Sequence, residues 1–201
     1  MSEITPFEHK VIPRHTEFRT AVEADFTIHD IYSALVGDAA RNEMIVEDLI
    51  RSVEAGRSPL LLTGRTDHLQ HFAERLNGRV KHVFVLKGGM GKKQRREIAD
   101  ALASVPEHEP RVILATGSYI GEGFDDARLD TLFLAMPISW KGTLQQYVGR
   151  LHRLHDNKRL VQVYDYVDDW VPMLERMYER RLKGYGAIGY VIEHETPAVA
   201  V

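Results

Sequence analysis

The sequence predicts an α/β fold in which a mostly parallel sheet is covered by helices on both faces. From Leu60 onward, short apolar runs alternate with amphipathic stretches, and this rhythm is typical of βαβ units. Glycine-rich turns follow several of the apolar runs, and such turns are typical of places where a strand ends and a helix begins. The chain has 201 residues, of which 44% are hydrophobic, so one sizeable core is expected.

The predicted elements follow from apolar periodicity and from stop signals. A helix at 67–76 is closed by Asn77-Gly78, and one at 93–103 has the three-and-four spacing of a buried face. Further helices are predicted at 142–150 and 171–182, with Gly184-Tyr185-Gly186 ending the last one. Strands are predicted at 60–63, 82–86, 111–116, 131–135 and 160–167, with a short edge strand at 190–192.

The first forty residues do not share this rhythm. Residues 11–13 and 17–19 look extended, and a helix at 39–55 is stopped by Gly56. We interpret residues 1–40 as an entry arm or connector, 41–195 as the domain, and 196–201 as a flexible tail.

Composition narrows the class of protein. No apolar run approaches the roughly 18 residues of a membrane span, no cysteine is present, and no leader is recognisable, so a cytoplasmic protein without a membrane role is expected. The net charge of −3 means that any nucleic-acid surface must be local. Two basic stretches qualify, at 92–96 and at 150–159.

The strongest chemical signal lies at residues 146–153 (QYVGRLHR). Gln146, Arg150 and Arg153 are spaced by four and then three residues, which predicts that all three lie on one helix face. Two guanidinium groups and an amide in this arrangement can reach several oxygens of a polyphosphate. The alternative is a solvated helix face with two arginines by chance.

A second signal is the glycine-rich stretch 115–125 (ATGSYIGEGFD), directly after a predicted strand. Open α/β sheets bind ligands at the carboxyl ends of their strands. Backbone amides with Thr116 or Ser118 can hold a phosphate there, and Asp125 can accept from a ribose hydroxyl. The alternative is a plain connecting loop.

Taken in order, these two stretches resemble motifs V and VI of superfamily 2 helicases. Upstream, residues 62–66 (LTGRT) match the position of motif IV, and 86–90 (LKGGM) resemble the family's segment of the form hydrophobic-His-Gly-Gly-Met. The resemblance covers residues 60–167. It implies the C-terminal RecA-like domain, a three-layer sandwich related to P-loop NTPases but without the P-loop.

The resemblance also implies roles for particular residues. Arg150 and Arg153 correspond to arginine fingers that reach the γ-phosphate of ATP on the first domain, while Gln146, Gly123 and Asp125 would contact the nucleotide. An arginine finger stabilises charge on the transferred phosphoryl group. The residues implied for the nucleic-acid backbone are Thr63, Gly64, Arg65, Gly88, Gly89, Thr116 and Gly117.

Departures from the family pattern bear on the substrate. The DEAD-box form has His at the position of Gln146. A glutamine here resembles the DNA-translocating and DEAH-like branches. Lys87 replaces the usual His, and Lys92 stands where that form has Gln. DNA is therefore expected as the partner, with RNA as the alternative.

No Gly-x-x-x-x-Gly-Lys-Ser/Thr loop and no Asp-Glu-x-Asp/His segment occurs in the sequence. We therefore expect ATP and Mg²⁺ to be held mainly by an N-terminal RecA-like domain of the same parent chain, and this chain to be inactive in hydrolysis alone. The alternative is a non-catalytic nucleic-acid-binding module. A Rossmann-type enzyme is disfavoured, since no Gly-x-Gly-x-x-Gly follows the first strand.

Three further groups of residues can be interpreted as metal-binding or base-stacking sites, but ordinary structural roles explain them better. His152 and His155 with Asp156 lack another metal ligand nearby. Trp140 and Tyr147 are expected to pack rather than to stack on bases. The acidic group Asp165, Asp168 and Asp169 is expected to form a solvated turn rather than a cation site.

Overall fold

A computed structural model describes residues 7–21, 25–120, 124–139, 144–156 and 158–194. Its centre is a seven-stranded sheet in the order β3-β4-β2-β5-β6-β1-β7, and all neighbouring strands run parallel. The predicted α/β class is confirmed. The strands are β1 Glu8–His15, β2 Pro59–Thr63, β3 His82–Leu86, β4 Arg111–Thr116, β5 Thr131–Leu134, β6 Leu160–Val167 and β7 Val191–Ile192.

The helices connect these strands and cover the sheet. Helix α2 begins after Asp38, whose side chain accepts from the Arg41 amide, and ends before Gly56, which has a φ of +80°. The helices are α1 Ile28–Val36, α2 Ala39–Glu54, α3 Thr66–Leu76, α4 Lys92–Ala103, α5 Gly117–Ile120, α6 Gln145–Arg150 and α7 Pro172–Ala187.

Two apolar cores lie on opposite faces of the sheet, as the alternation of side chains along β6 shows. Val161 and Val163 pack in one core together with Tyr185 of α7. Tyr166 packs in the other with Ile45 of α2 and with the apolar face of α3. A period of two along a strand sends neighbouring side chains to opposite faces, so each face receives its own helical layer.

Strand β1 is a place where the structure goes beyond the sequence pattern. Residues 8–15 do not stand apart as an arm but lie in the sheet between β6 and β7. The pairing with β7 covers only Lys10 and Val11, and the carbonyl of Val11 accepts from Glu193 on that side. Pro13 shares that side of the strand, where its missing N–H breaks no ladder bond. The division at residue 40 stays a prediction.

The predicted end of the last helix is wrong, because α7 continues through Gly184 to Ala187. A glycine inside a helix costs about 1 kcal/mol. Burying a large side chain contributes about 1.5–3 kcal/mol, and Tyr185 is fully buried with its hydroxyl donating to Asp165 at 2.8 Å. Tertiary packing therefore outweighs the local stop signal. Helix α1 was not predicted either, although Thr27 and Asp30 form a capping box at its start.

Candidate functional site

All seven strands run parallel, so the segments that follow them meet at one edge of the sheet. We call this the carboxyl edge and define it by residues 64–65 after β2, 87–89 after β3, 117–118 after β4 and 135–138 after β5. Three of the segments predicted to touch nucleic acid therefore lie on neighbouring strands. Thr63 and Thr116 are direct partners in the β2–β4 register.

The segments after β3 and β4 are joined by hydrogen bonds. The backbone amide of Gly88 donates to Thr116 Oγ1 at 3.1 Å, and that hydroxyl lies 3.2 Å from Ser118 Oγ. A Cβ on Gly88 would stand 2.3 Å from Ser118 Oγ, so a larger residue here would displace the Ser118 hydroxyl. Gly89 adopts a φ of +82° and turns the chain toward α4.

The segment after β2 rests on a buried histidine. His68 Nε2 lies 2.8 Å from Asn42 Oδ1 and Nδ1 lies 2.9 Å from Thr63 Oγ1. Because Asn42 Nδ2 donates to the Val36 carbonyl, its Oδ1 accepts from His68, and the Thr63 hydroxyl donates to Nδ1. Burial lowers the pKa of His68 to about 3, which keeps the ring neutral. Thr63 is thereby oriented inward, and Gly64 is left exposed.

Arg65 is held in one orientation. Its guanidinium pairs with Asp67 through two hydrogen bonds of 3.1 and 2.8 Å, and Nη1 donates to Ser33 Oγ of α1 at 2.9 Å. The pairing raises the pKa of Arg65. A guanidinium fixed by a fork of this kind loses less conformational freedom when it also meets a phosphate.

Helix α6 is attached to the segment after β4 through Tyr147. This side chain is buried and its hydroxyl donates to the Gly117 carbonyl at 2.8 Å, so the prediction that Tyr147 packs is confirmed. Burial raises its pKa. A Cβ on Gly117 would stand 2.6 Å from that hydroxyl. The helix and the glycine-rich segment therefore form one unit.

Two of the three predicted phosphate-binding side chains lie on α6. Gln146 is exposed and Arg150 is half-buried, and within the described ranges neither side chain makes a hydrogen bond or an ion pair. The prediction that Arg153 shares their helix face is wrong, because α6 ends at Arg150 and Leu151 begins the turn beyond it. The amides of Leu151 and His152 bond back to Val148 and Gly149, closing the helix.

Arg153 is instead directed at Asp125, the acidic end of the glycine-rich stretch. Its Nε and Nη2 lie 3.0 Å from the two carboxylate oxygens, a bidentate pair between half-exposed side chains. The structure thus brings together two residues predicted to touch the nucleotide. Gly123, the other residue of the glycine-rich stretch that was predicted to contact the nucleotide, lies outside the described residues. Trp140 and residues 142–143 of the predicted helix lie outside them as well.

Lys158 belongs to the second basic stretch but is not a surface charge. Only 6% of it is exposed, and Nζ donates to the carbonyls of Arg153 and Ala127 at 2.9 and 3.2 Å. Burial lowers its pKa to about 8. This lysine fixes the backbone beyond α6 and thereby the position of Arg153.

Two buried ion pairs near the carboxyl end of β6 were not expected from the sequence. Asp168 accepts two hydrogen bonds from Arg41, and Asp165 accepts two from Arg181. All four side chains are almost completely buried, so the expectation of a solvated acidic turn is wrong for Asp165 and Asp168. A signal was present, because Arg41 shares a helix face with Ile45 and Leu49. Among the described residues, no group of three metal-binding side chains is present.

Comparison with curated proteins gives relatives from viruses. No protein-family model matches the chain. "Putative helicase 161L" of Invertebrate iridescent virus 6 is 27% identical over 198 residues, covering 93% of this chain and 43% of the relative. "Transcript termination protein OPG145" of Vaccinia virus is 27% identical over 118 residues, 58% of this chain and 23% of the relative. The chain thus spans less than half the length of these relatives.

Solved structures agree on the fold. T4 UvsW has a TM-score of 0.72 at 15% identity, covering 94% of this chain and 41% of that one. Yeast Dbp5 bound to RNA and ADP BeF3 has a TM-score of 0.60 at 12% identity, covering 94% and 42%. Within the described part of the chain, no helix is long and apolar enough to cross a membrane. In fold, the chain is similar to part of T4 UvsW and part of Dbp5, and in sequence it is similar to part of a viral putative helicase.

Proposed function

We propose that this chain is the C-terminal RecA-like half of an ATP-dependent helicase or translocase that acts on nucleic acid. The observation that carries the proposal is Arg150. Its guanidinium belongs to the last residue of α6 and makes no hydrogen bond or ion pair to any described residue, and three residues further along the chain Arg153 pairs with Asp125. A cation held at a surface without a partner is suited to an anionic ligand that arrives from outside the domain.

The ligand proposed for this surface is the triphosphate of ATP bound on an N-terminal RecA-like domain. Arg150 and Arg153 are proposed to stabilise the charge that develops on the transferred phosphoryl group, with Gln146 and Asp125 contacting the same nucleotide. The described residues offer cations for the phosphates but no carboxylate cluster for Mg²⁺. We therefore assign the metal, like the phosphate loop, to the N-terminal domain.

The carboxyl edge is proposed to hold half of the nucleic-acid groove. Gly64, Gly88 and Gly89 are exposed there, so a phosphate can approach their backbone closely. Lys87 follows β3 directly, and the first turns of α4 add further exposed cations at Lys92, Lys93 and Arg96. This local basic surface supports nucleic-acid binding although the chain carries a net charge of −3.

We propose DNA rather than RNA as the partner, on the basis of Gln146 and Lys87 at the positions where the DEAD-box pattern has histidine. Similarity of fold does not separate the two, because the Dbp5 structure is a complex with RNA. A comparison of the two nucleic acids as stimulants of hydrolysis separates them.

The proposal is tested with ATP hydrolysis by the full-length protein that contains this chain. Arg150→Ala is expected to lower nucleic-acid-stimulated turnover by about a thousandfold at saturating ATP, because the charge on the transferred group loses its partner. ATP binding, measured with a fluorescent analogue, should be retained. DNA is expected to stimulate the wild-type protein more than RNA.

Arg180→Ala serves as the matched control, because Arg180 is an exposed arginine on α7, a helix that carries none of the predicted site residues. Its turnover should equal that of the wild type. If Arg150→Ala behaves like Arg180→Ala, Arg150 is not an arginine finger. If the wild-type protein binds nucleic acid but does not hydrolyse ATP, the non-catalytic binding module is the correct function.

A further inference from the structure

A cavity of about 480 Å³ opens at the carboxyl edge, between the sheet and α1. On one side it is bordered by residues predicted to contact the nucleic-acid backbone. On the other side lie two residues of α1, an element outside all the motifs. The lining from these two sources comprises Thr63, Gly64, Arg65, Gly117, His29 and Tyr32.

The floor and walls of this cavity are mainly apolar. Leu62, Met136 and Pro137 are buried below it, and Ile138 and the ring of Tyr147 form its sides. A phosphate or a charged side chain would lose hydration against such walls without regaining hydrogen bonds. A flat group with apolar faces fits them better, since its burial removes apolar surface from water.

Two side chains at the rim of the cavity are held in fixed positions by hydrogen bonds. Tyr32 is half-buried with its hydroxyl donating to the Pro137 carbonyl at 3.3 Å, so its ring has a fixed position. Arg65 is fixed by Asp67 and Ser33. His29 is exposed, and within the described ranges its ring makes no hydrogen bond, ion pair or ring contact. The rim thus combines one oriented cation with an available aromatic ring.

We propose that this cavity receives one unpaired nucleobase of the strand whose backbone lies along the carboxyl edge, with His29 and Tyr32 as its aromatic walls. The inference rests on the proposed function, because the sugar–phosphate backbone must pass Gly64 and Arg65 for a base to reach the cavity. Charge and shape both favour this occupant, since a nucleotide carries its anion beside a flat ring. The base contact provides grip through stacking, which every base can provide.

The test compares two short strands of equal length, oligothymidine and an abasic strand with the same sugar–phosphate backbone, binding to the full-length protein. The wild-type protein is expected to bind the base-bearing strand about tenfold more tightly. His29→Ala should reduce this preference to less than about threefold while leaving the affinity for the abasic strand unchanged. Fluorescence anisotropy at one fixed salt concentration measures all four dissociation constants.

His108→Ala is the matched control, because His108 is an exposed histidine at the opposite edge of the sheet. It should keep the full preference for the base-bearing strand. Equal preference in His29→Ala and wild type would overturn the base cavity. Arg65→Ala distinguishes the two proposals: it should weaken both strands equally, and if it weakens neither, the nucleic-acid groove proposed for this edge is wrong as well.

Discussion

Two pairs of arginines in this domain differ in burial and in their partners. Arg41 and Arg181 are about 99% buried, and each forks onto a carboxylate and donates to a backbone carbonyl. Arg150 and Arg153 lie near the surface around α6, where one has no described partner and the other meets a half-exposed aspartate. The first group fastens α2 and α7 to the sheet, and the second is available to a ligand.

The difference teaches that the carboxyl edge is built in two layers. Asp165 and Asp168 belong to β6 and the turn that follows it. The arginines paired with them also donate to the carbonyls of Ala135 and Ile138, so the buried pairs hold α2 and α7 against the carboxyl edge from inside the domain. Exposed glycines and cations then lie above a rigid base. A preorganised support of this kind lets surface groups meet a ligand without rearrangement. If the two layers differ in this way, changes to the buried pairs should lower stability, and changes to the surface groups should lower activity with little loss of stability.

The largest effect on stability is expected when one of the buried ion pairs is broken. Asp168→Asn leaves the buried Arg41 without a counter-charge, and breaking a buried pair from one side costs about 3–5 kcal/mol. The hydrogen bond from Thr16 Oγ1 to this carboxylate is weakened as well. Urea denaturation measures the free energy of unfolding.

Asp169→Asn is the control for this experiment, since Asp169 is the next residue and pairs with the half-exposed His15. It should cost less than about 1 kcal/mol. Similar losses in the two variants would show that the buried pair is not a special support.

The second prediction concerns His68, which supports Thr63 from below. Its pKa is lowered to about 3 in the folded chain because burial disfavours the imidazolium, whereas an unfolded histidine titrates near 6.5. Below about pH 6.5 the unfolded state takes up a proton that the folded state refuses, so stability falls as the pH falls toward 3. At pH 5 the loss should be about 2 kcal/mol relative to pH 7.5.

Urea denaturation of the wild type and of His68→Gln at both pH values measures this contribution. The variant should be less stable at pH 7.5 but should lose about 2 kcal/mol less between pH 7.5 and pH 5. An identical pH dependence in both proteins would mean that burial does not keep His68 neutral in the folded chain.

Much of the fold follows from local signals. The strands at 82–86, 111–116 and 160–167 were predicted with their observed bounds, because continuous apolar runs bounded by turns are typical of strands buried on both faces. Strand β1 was not placed, because its partner β6 lies about 150 residues away and pairing at such a distance leaves no local pattern.

The candidate site was predicted less completely. The motif segments located the carboxyl edge, but the face shared by Gln146, Arg150 and Arg153 depended on a helix that ends at Arg150. The place of Arg153 depends on two long-range contacts, with Asp125 and with the buried Lys158. His29 and Tyr32 reach the cavity because α1 packs against Met136, which follows β5. Such contacts between distant segments are not encoded in residue spacing.

A third prediction tests the contact that joins α6 to the segment after β4. In Gly117→Ala the new Cβ would stand 2.6 Å from the Tyr147 hydroxyl, so the side chain or the backbone must shift. The expected loss is about 1 kcal/mol, and nucleic-acid binding should weaken because the segment after β4 moves. Adding Tyr147→Phe removes the clashing oxygen and should restore part of the stability. No recovery in the double variant would place the strain elsewhere.

The smallest effect on stability is expected at Asp125, in the upper layer. The Asp125–Arg153 pair is bidentate, but both side chains are about half-exposed, so Asp125→Asn should change the free energy of unfolding by less than about 1 kcal/mol. If the pair serves the nucleotide, the same variant should still lower ATP turnover of the full-length protein several-fold, since Arg153 loses the carboxylate that orients it. A buried pair that stabilises without touching the ligand should show the opposite profile, as expected for Asp168→Asn. A loss of several kcal/mol in Asp125→Asn would remove the distinction between the two groups of arginines, and Arg153 would then be a structural residue.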